Sequence, residues 1–131
     1  MSADCLALHW RAVPSRETNA KFIEPMLLLA AETLPDGACW TYELKLDGYR
    51  ALGIKTGGEV RLRSRNDKDF NRKYPGTAKA LAALPDETVV DGEVVALDPD
   101  RRPSFNALQN GSASATIVYY VFDVMSWAVG T

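Results

Sequence analysis

Cysteine is scarce in this sequence. Cys5 and Cys39 stand alone in 131 residues, with neither metal-binding nor redox spacing. That excludes a cysteine-held metal and fits thiols in a reducing compartment. Long apolar runs are missing as well. The longest, residues 26–31, falls far short of the roughly 20 residues a bilayer span needs. The opening "MSADCLALHW" lacks the basic region that begins a signal peptide. These absences imply a soluble, cytoplasmic protein without membrane contact. There is no internal repeat and no low-complexity tract; "NGSASAT", residues 110–116, reads as a loop. A large excess of basic charge is absent too. A net charge of −2 excludes a protein whose whole surface grips nucleic acid.

What is present suits one modest domain, since 47% hydrophobic residues can build a real core. Charge is locally uneven: in "EVRLRSRNDKDFNRK", residues 59–73, Arg61, Arg63, Arg65, Lys68, Arg72 and Lys73 face only Glu59, Asp67 and Asp69. That segment is either anion-attracting or a strand edge blunted by charge. The first twenty residues read as an irregular arm, and residues 21–131 as the folded part. "FIEPMLLLAAETLP" brackets an apolar segment between Pro25 and Pro35, a helix or a packed entry strand.

From Trp40 the period is two, which predicts a strand with Trp40, Tyr42, Leu44 and Leu46 on one face and Thr41, Glu43, Lys45 and Asp47 on the other. "YRALGIKT" and "EVRLRSR" read as a hairpin turned by Gly57 and Gly58. Residues 76–85 predict a short helix capped by Thr77 and stopped by Pro85. "ETVVDGEVVALD" reads as two β-branched runs broken at Asp91-Gly92, "SFNALQ" as helical, and "TIVYYVFDV" as a strand. The order β-β-β-α-β-α-β predicts an α+β fold with antiparallel sheet.

Lys45 is the residue whose chemistry is open. A lysine attacks an electrophile only as the neutral amine, which requires desolvation or neighbouring cations to depress its pKa from about 10.4. Arg50 and Arg65 could do that, and a phosphate is the natural target because guanidinium groups hold its oxygens. By composition alone, Lys45 on a polar strand face is an ordinary surface lysine.

The segment "ELKLDGYR" resembles the E-x-K-x-D-G-x-R signature of the covalent nucleotidyltransferases: ATP-dependent DNA ligases, RNA ligases and capping enzymes. "LRSRNDKDF" is similar to that superfamily's S-R-N-G motif, "VVDGEVVALD" to its D-G-E motif and "YYVFDV" to its aromatic-Phe-Asp motif, all in the family's order. The flanks "FIEPMLLLAAETLPDGACWTYELKLDGYRA" and "DRRPSFNALQN" look most like bacterial ATP-dependent DNA ligases, especially the ligase domain of multifunctional end-joining enzymes. The likeness covers residues 21–125. It implies the N-terminal portion of an antiparallel nucleotidyltransferase, ATP-grasp-like fold. It also implies ATP and Mg²⁺ as cofactors and nicked or broken double-stranded DNA as partner, in repair and recombination.

By the same resemblance Lys45 is the nucleophile toward the ATP α-phosphate, and Asp47 orients the reacting groups. Glu43 sits at the adenine, Arg50 on the nucleotide, and Arg65 on the ribose or phosphates. Glu93 holds the ribose hydroxyl and a metal, and Phe122 stacks on adenine, with a core phenylalanine as the rival reading. Gly48 supplies backbone freedom. Arg61 and Arg63 match no motif and are left as solvated or DNA-backbone charges.

The likeness also has gaps. No lysine follows Lys79 and no glutamate follows Glu93, so the family's later E-G and K-x-K motifs cannot lie in these residues. The expectation is a partial adenylation domain over residues 21–131, with slow or absent adenylation and a sheet edge prone to pairing. Its missing motifs would come from a further C-terminal segment or a complementing chain. The alternatives are a non-catalytic module that binds nucleotide or DNA, and an RNA-ligase or capping-type enzyme. Asp67 replaces the usual glycine of S-R-N-G, and Asp tolerates a left-handed turn.

Overall fold

Gly57 and Gly58 take φ of 55° and 78°, the left-handed geometry a two-residue hairpin turn demands and glycine adopts without steric cost. They join strand β1 (Tyr49–Thr56) to strand β2 (Glu59–Ser64), paired antiparallel from Ala51↔Ser64 to Thr56↔Glu59. Helix α1 (Pro75–Leu81), strand β3 (Thr88–Leu97), helix α2 (Phe105–Asn110) and strand β4 (Thr116–Ser126) follow. This computed structural model describes residues 19–128. The expected arm over residues 1–20 lies almost wholly outside that span, as does Cys5; Cys39 is exposed.

The four strands form one antiparallel sheet in the order β2-β1-β3-β4, so β3 is paired on both sides. Cross-strand partners share a face, and the register therefore assigns each side chain. Ala51, Leu62, Val90, Val94 and Ala96 meet Tyr74, Leu81 and Leu108 on the face covered by the helices. Leu52, Ile54 and Val89 lie on the opposite face, where Ala20, Phe22 and Ile23 pack over them. Arg50, Asp91 and Glu93 belong to this second face, through Arg50↔Glu93 and Leu52↔Asp91.

Four local expectations are corrected. Residues 40–47 form no strand: Trp40, Tyr42 and Leu44 are exposed, Leu44 by 90%. Alternation supplies an apolar face but not the neighbouring strand a hydrogen-bond ladder needs, and none pairs with this segment among the described residues. Its fixings are local, a Trp40 N–Gly37 O turn of 3.3 Å and a Tyr42 hydroxyl donating to Pro35 O. Residues 22–35 are likewise neither helix nor strand; Phe22 and Ile23 pack, whereas Leu28 and Leu29 stand out in solvent.

Helix α1 starts one residue earlier than expected and stops short of Pro85. Pro75 is its first residue, where the missing N–H has no intrahelical partner to lose, and Thr77 is buried inside the helix instead of capping it. At its far end Lys55 Nζ donates to Ala82 O and Leu84 O, both at 2.7 Å, so a β1 lysine satisfies the last carbonyls. Finally, β3 runs unbroken through Asp91-Gly92, and the irregularity appears as a register shift against β4. Helix α2 forms as predicted, with Ser104 Oγ accepting from Ala107 N at 3.2 Å.

Candidate functional site

Arg50, the second residue of β1, reaches across the second face to Asp91 on β3. Its Nε donates to Asp91 Oδ1 at 3.1 Å and its Nη2 to Oδ2 at 2.6 Å, a two-pronged pair, while Nη1 donates to Met26 O at 2.8 Å. The Asp91 side chain is 4% exposed and that of Arg50 22%. The Asp91 hydrogen bond is the main cause holding the Arg50 pKa above its ordinary value, against burial and with help from the charges of Asp91, Glu93 and Asp123. Three of the five guanidinium N–H groups are thereby used, leaving two for a ligand. Phe122 of β4 lies beside this pair, with Arg50 Cζ 5.5 Å from its ring centroid. Phe122 is 44% exposed and so is not buried among the described residues.

Glu93 is the next carboxylate on the same face, and its Oε1 accepts from Gly48 N at 2.9 Å. Burial pushes its pKa up; the Gly48 bond and Arg50 oppose that, Asp47 adds to it, and Lys45 opposes it. The charges of Lys45 and Asp47 are therefore felt at Glu93. Gly48 is required here by close approach, since a Cβ would stand 2.1 Å from Val94 O; its φ is outside the left-handed region, which corrects the expectation of backbone freedom.

The structure thus brings Arg50, Glu93 and Phe122 together and ties the segment bearing Lys45 and Asp47 to them through Gly48. Lys45 and Glu43 are exposed within the segment that forms no strand. Arg65 is joined to Arg50 through its backbone, Arg65 N donating to Arg50 O at 3.3 Å, and its side chain borders a small hollow with Glu24, Pro25, Leu27 and Asn66. Asp67 adopts φ of 57°, the left-handed turn expected of it, and its carboxylate accepts from Arg63 Nε at 2.7 Å. Arg61 and Arg63 lie opposite Ile54 and Leu52, on the site's face of the sheet.

Asp91 is the residue the sequence reading missed, having been taken as half of a chain break. Its place two residues before Glu93 in a β-branched run was the available signal, since both then share a face. As to a metal, no group of three His, Cys, Asp or Glu side chains converges among the described residues. Glu93 is compatible with Mg²⁺ only as one carboxylate ligand, the arrangement Mg²⁺ adopts when phosphates and waters supply the rest. A larger apolar hollow of about 480 Å³ lies between α1 and β4, lined by Leu81, Leu84, Thr88, Ile117 and Val121 among others. It opens on the helix face, away from the Arg50–Asp91 pair.

The fold is similar to that of solved ligase domains. The crystal structure of the ligase domain of Mycobacterium tuberculosis LigD superposes with a TM-score of 0.53 at 38% identity, covering 63% of this chain and 28% of that one. A mycobacterial DNA ligase D complexed with ATP and MES gives 0.52 at the same identity and the same coverage of each chain. The family model for the ATP dependent DNA ligase domain matches residues 25–128, and the chain belongs to that family. The multifunctional non-homologous end joining protein LigD of Pseudomonas aeruginosa is 43% identical over 108 residues, 79% of this chain and 13% of that protein. DNA ligase C1 of Mycolicibacterium smegmatis is 49% identical over 75 residues, 56% of this chain and 22% of that protein. The chain spans a small part of each of these relatives. No helix among the described residues is long and apolar enough to cross a membrane.

Proposed function

We propose that residues 21–131 form the nucleotide-holding part of an adenylation domain of the nucleotidyltransferase, ATP-grasp-like kind, from a cytoplasmic ATP-dependent DNA ligase of the end-joining type. Lys45 Nζ attacks the ATP α-phosphorus: an N–P bond forms, the P–O bond to pyrophosphate breaks, and the amine's proton passes to solvent. The AMP so held moves to the 5′-phosphate of nicked or broken double-stranded DNA, and a 3′-hydroxyl then displaces it. Bound Mg²⁺ would offset phosphate charge, with Glu93 as its protein ligand.

The remaining roles are those the family resemblance implies, and the grouping of Arg50, Glu93 and Phe122 supports them. The two N–H groups Arg50 keeps free bind nucleotide oxygens, and Arg65 binds the ribose or phosphates from the neighbouring chain turn. Phe122 stacks on adenine, Glu43 fixes the base, Asp47 orients the reacting groups, and the second Glu93 oxygen takes a ribose hydroxyl. Arg61 and Arg63, on the same face, are solvated or DNA-backbone charges.

The observation that supports this reading best is the Gly48 N–Glu93 bond, which fastens the E-x-K-x-D-G segment to the D-G-E strand beside Arg50. Incubation with Mg²⁺ and α-labelled ATP is expected to leave slowly accumulating, acid-labile label that Lys45→Ala abolishes. Absence of label, or equal label on the variant, contradicts the assignment. The exposure of Lys45 on a segment without a strand partner favours one second reading, a module that binds nucleotide without transfer. ATP affinity with no covalent product would select it.

A further inference from the structure

The two edges of the sheet are finished differently. The outer side of β2 is closed by the chain that follows it. Leu62 N donates to Asn71 Oδ1 at 2.6 Å, Asn71 Nδ2 to Val60 O at 2.9 Å, Phe70 N to Leu62 O at 2.9 Å and Ser64 N to Lys68 O at 2.8 Å. An asparagine side chain thus stands where a further strand would be. On β4, by contrast, no loop bonds the outer side among the described residues. The β4 amide with a side-chain acceptor is Val124, which donates to Asp123 Oδ1 at 2.8 Å.

The first half of β4, residues 116–121, reads "TIVYYV". Every residue is β-branched or aromatic, and there is no charge, proline or glycine. Pairing with β3 is regular over this stretch, and the register shifts that would twist an edge out of reach come after it. Ile117, Tyr120 and Val121 are more than 40% exposed. This combination is what unprotected edges lack defences against, and it invites strand addition.

We propose that residues 116–121 are a dimerisation edge that pairs antiparallel with the same strand of a second copy. The strand is complementary to itself. Centred on Tyr119, two copies set Tyr119 against itself, Val118 against Tyr120 and Ile117 against Val121, each pair sharing a face and favourable across strands. Asp123 then falls opposite Ala115 of the other copy, so no like charges meet. The contact is isologous and closed by a two-fold axis, which limits assembly to two chains.

Sedimentation equilibrium of the full chain over a wide concentration range tests this. Expected are a monomer–dimer equilibrium, slowed amide exchange along β4 in the dimer, and loss of the dimer in Tyr120→Lys, with Ile117→Lys as a second variant should the first fail to fold. A monomer at every concentration overturns the proposal, as does a dimer that both lysine variants retain. Open-ended growth beyond two chains overturns the closed pairing. Binding of a β-strand from a different polypeptide by a chain that stays monomeric assigns the edge to that partner instead.

Discussion

Arg50 and Asp91 depend on each other unequally. Arg50→Ala strands a carboxylate that is 4% exposed, and removing one partner of a buried pair costs about 3–5 kcal/mol. Asp91→Asn leaves an amide oxygen that still accepts one N–H, and Arg50, at 22% exposure, can recruit water; about 1–2 kcal/mol is expected. Urea midpoints at unchanged m-value measure both, and the reverse order would contradict the pair's geometry. Glu93 behaves oppositely, because burial raises its pKa above the ordinary 4.5. Its stabilising share is full below the unfolded pKa and is lost as pH rises through the higher folded pKa. Glu93→Gln, whose Oε1 can still accept from Gly48 N, is therefore expected to hold or raise stability at neutral pH and to remove the decline that begins as pH rises above about 4.5, while nucleotide labelling falls. Chemical denaturation from acidic to neutral pH reads the first, and labelling the second. At this scale the motif residues were legible in the sequence. Asp91 was not, because Asp-Gly is also a common turn sequence, and only the β3 register shows its carboxylate turned inward.

Elements here are fastened by single side chains. Glu87 accepts from the Thr56 hydroxyl at 2.7 Å and from Ala20 N, linking the end of β1 and the entry segment to the approach to β3. Thr56, then Ala20, hold its carboxyl below the usual range. A depressed folded pKa gives stability that is present above the unfolded value and lost as pH falls through the folded one. The Ala20 contact is thus expected to loosen as pH drops below about 4.5, the ordinary value, with Glu87→Gln removing that dependence; amide exchange at residues 20–23 follows it. Gly48→Ala drives a methyl into Val94 O and should cost about 1–3 kcal/mol, moving the Lys45 segment off Glu93. The hairpin at Gly57-Gly58, the buried alternation of β2 and helix α2 were readable because their signals are local. Residues 40–47 were misread for the converse reason. Their alternation is as clear as that of β2, yet a strand exists only where another lies alongside, and sequence period carries no information on that neighbour.

At the scale of the molecule the sheet separates two tasks. The helix face holds most of the core and the apolar hollow beside α1. The opposite face gathers Arg50, Asp91, Glu93 and Phe122, with Arg61 and Arg63 along the same side. That division follows from one register, Arg50↔Glu93, which a one-residue slip would reverse. Among the described residues, the sheet edge that no loop bonds is that of β4, since Asn71 closes β2. The most direct measurement of the central claim is peptide mapping by mass spectrometry after incubation with ATP and Mg²⁺. The account predicts one AMP, carried by Lys45 and released on adding pyrophosphate. AMP on a different lysine, or an adduct that survives in Lys45→Ala, would contradict it.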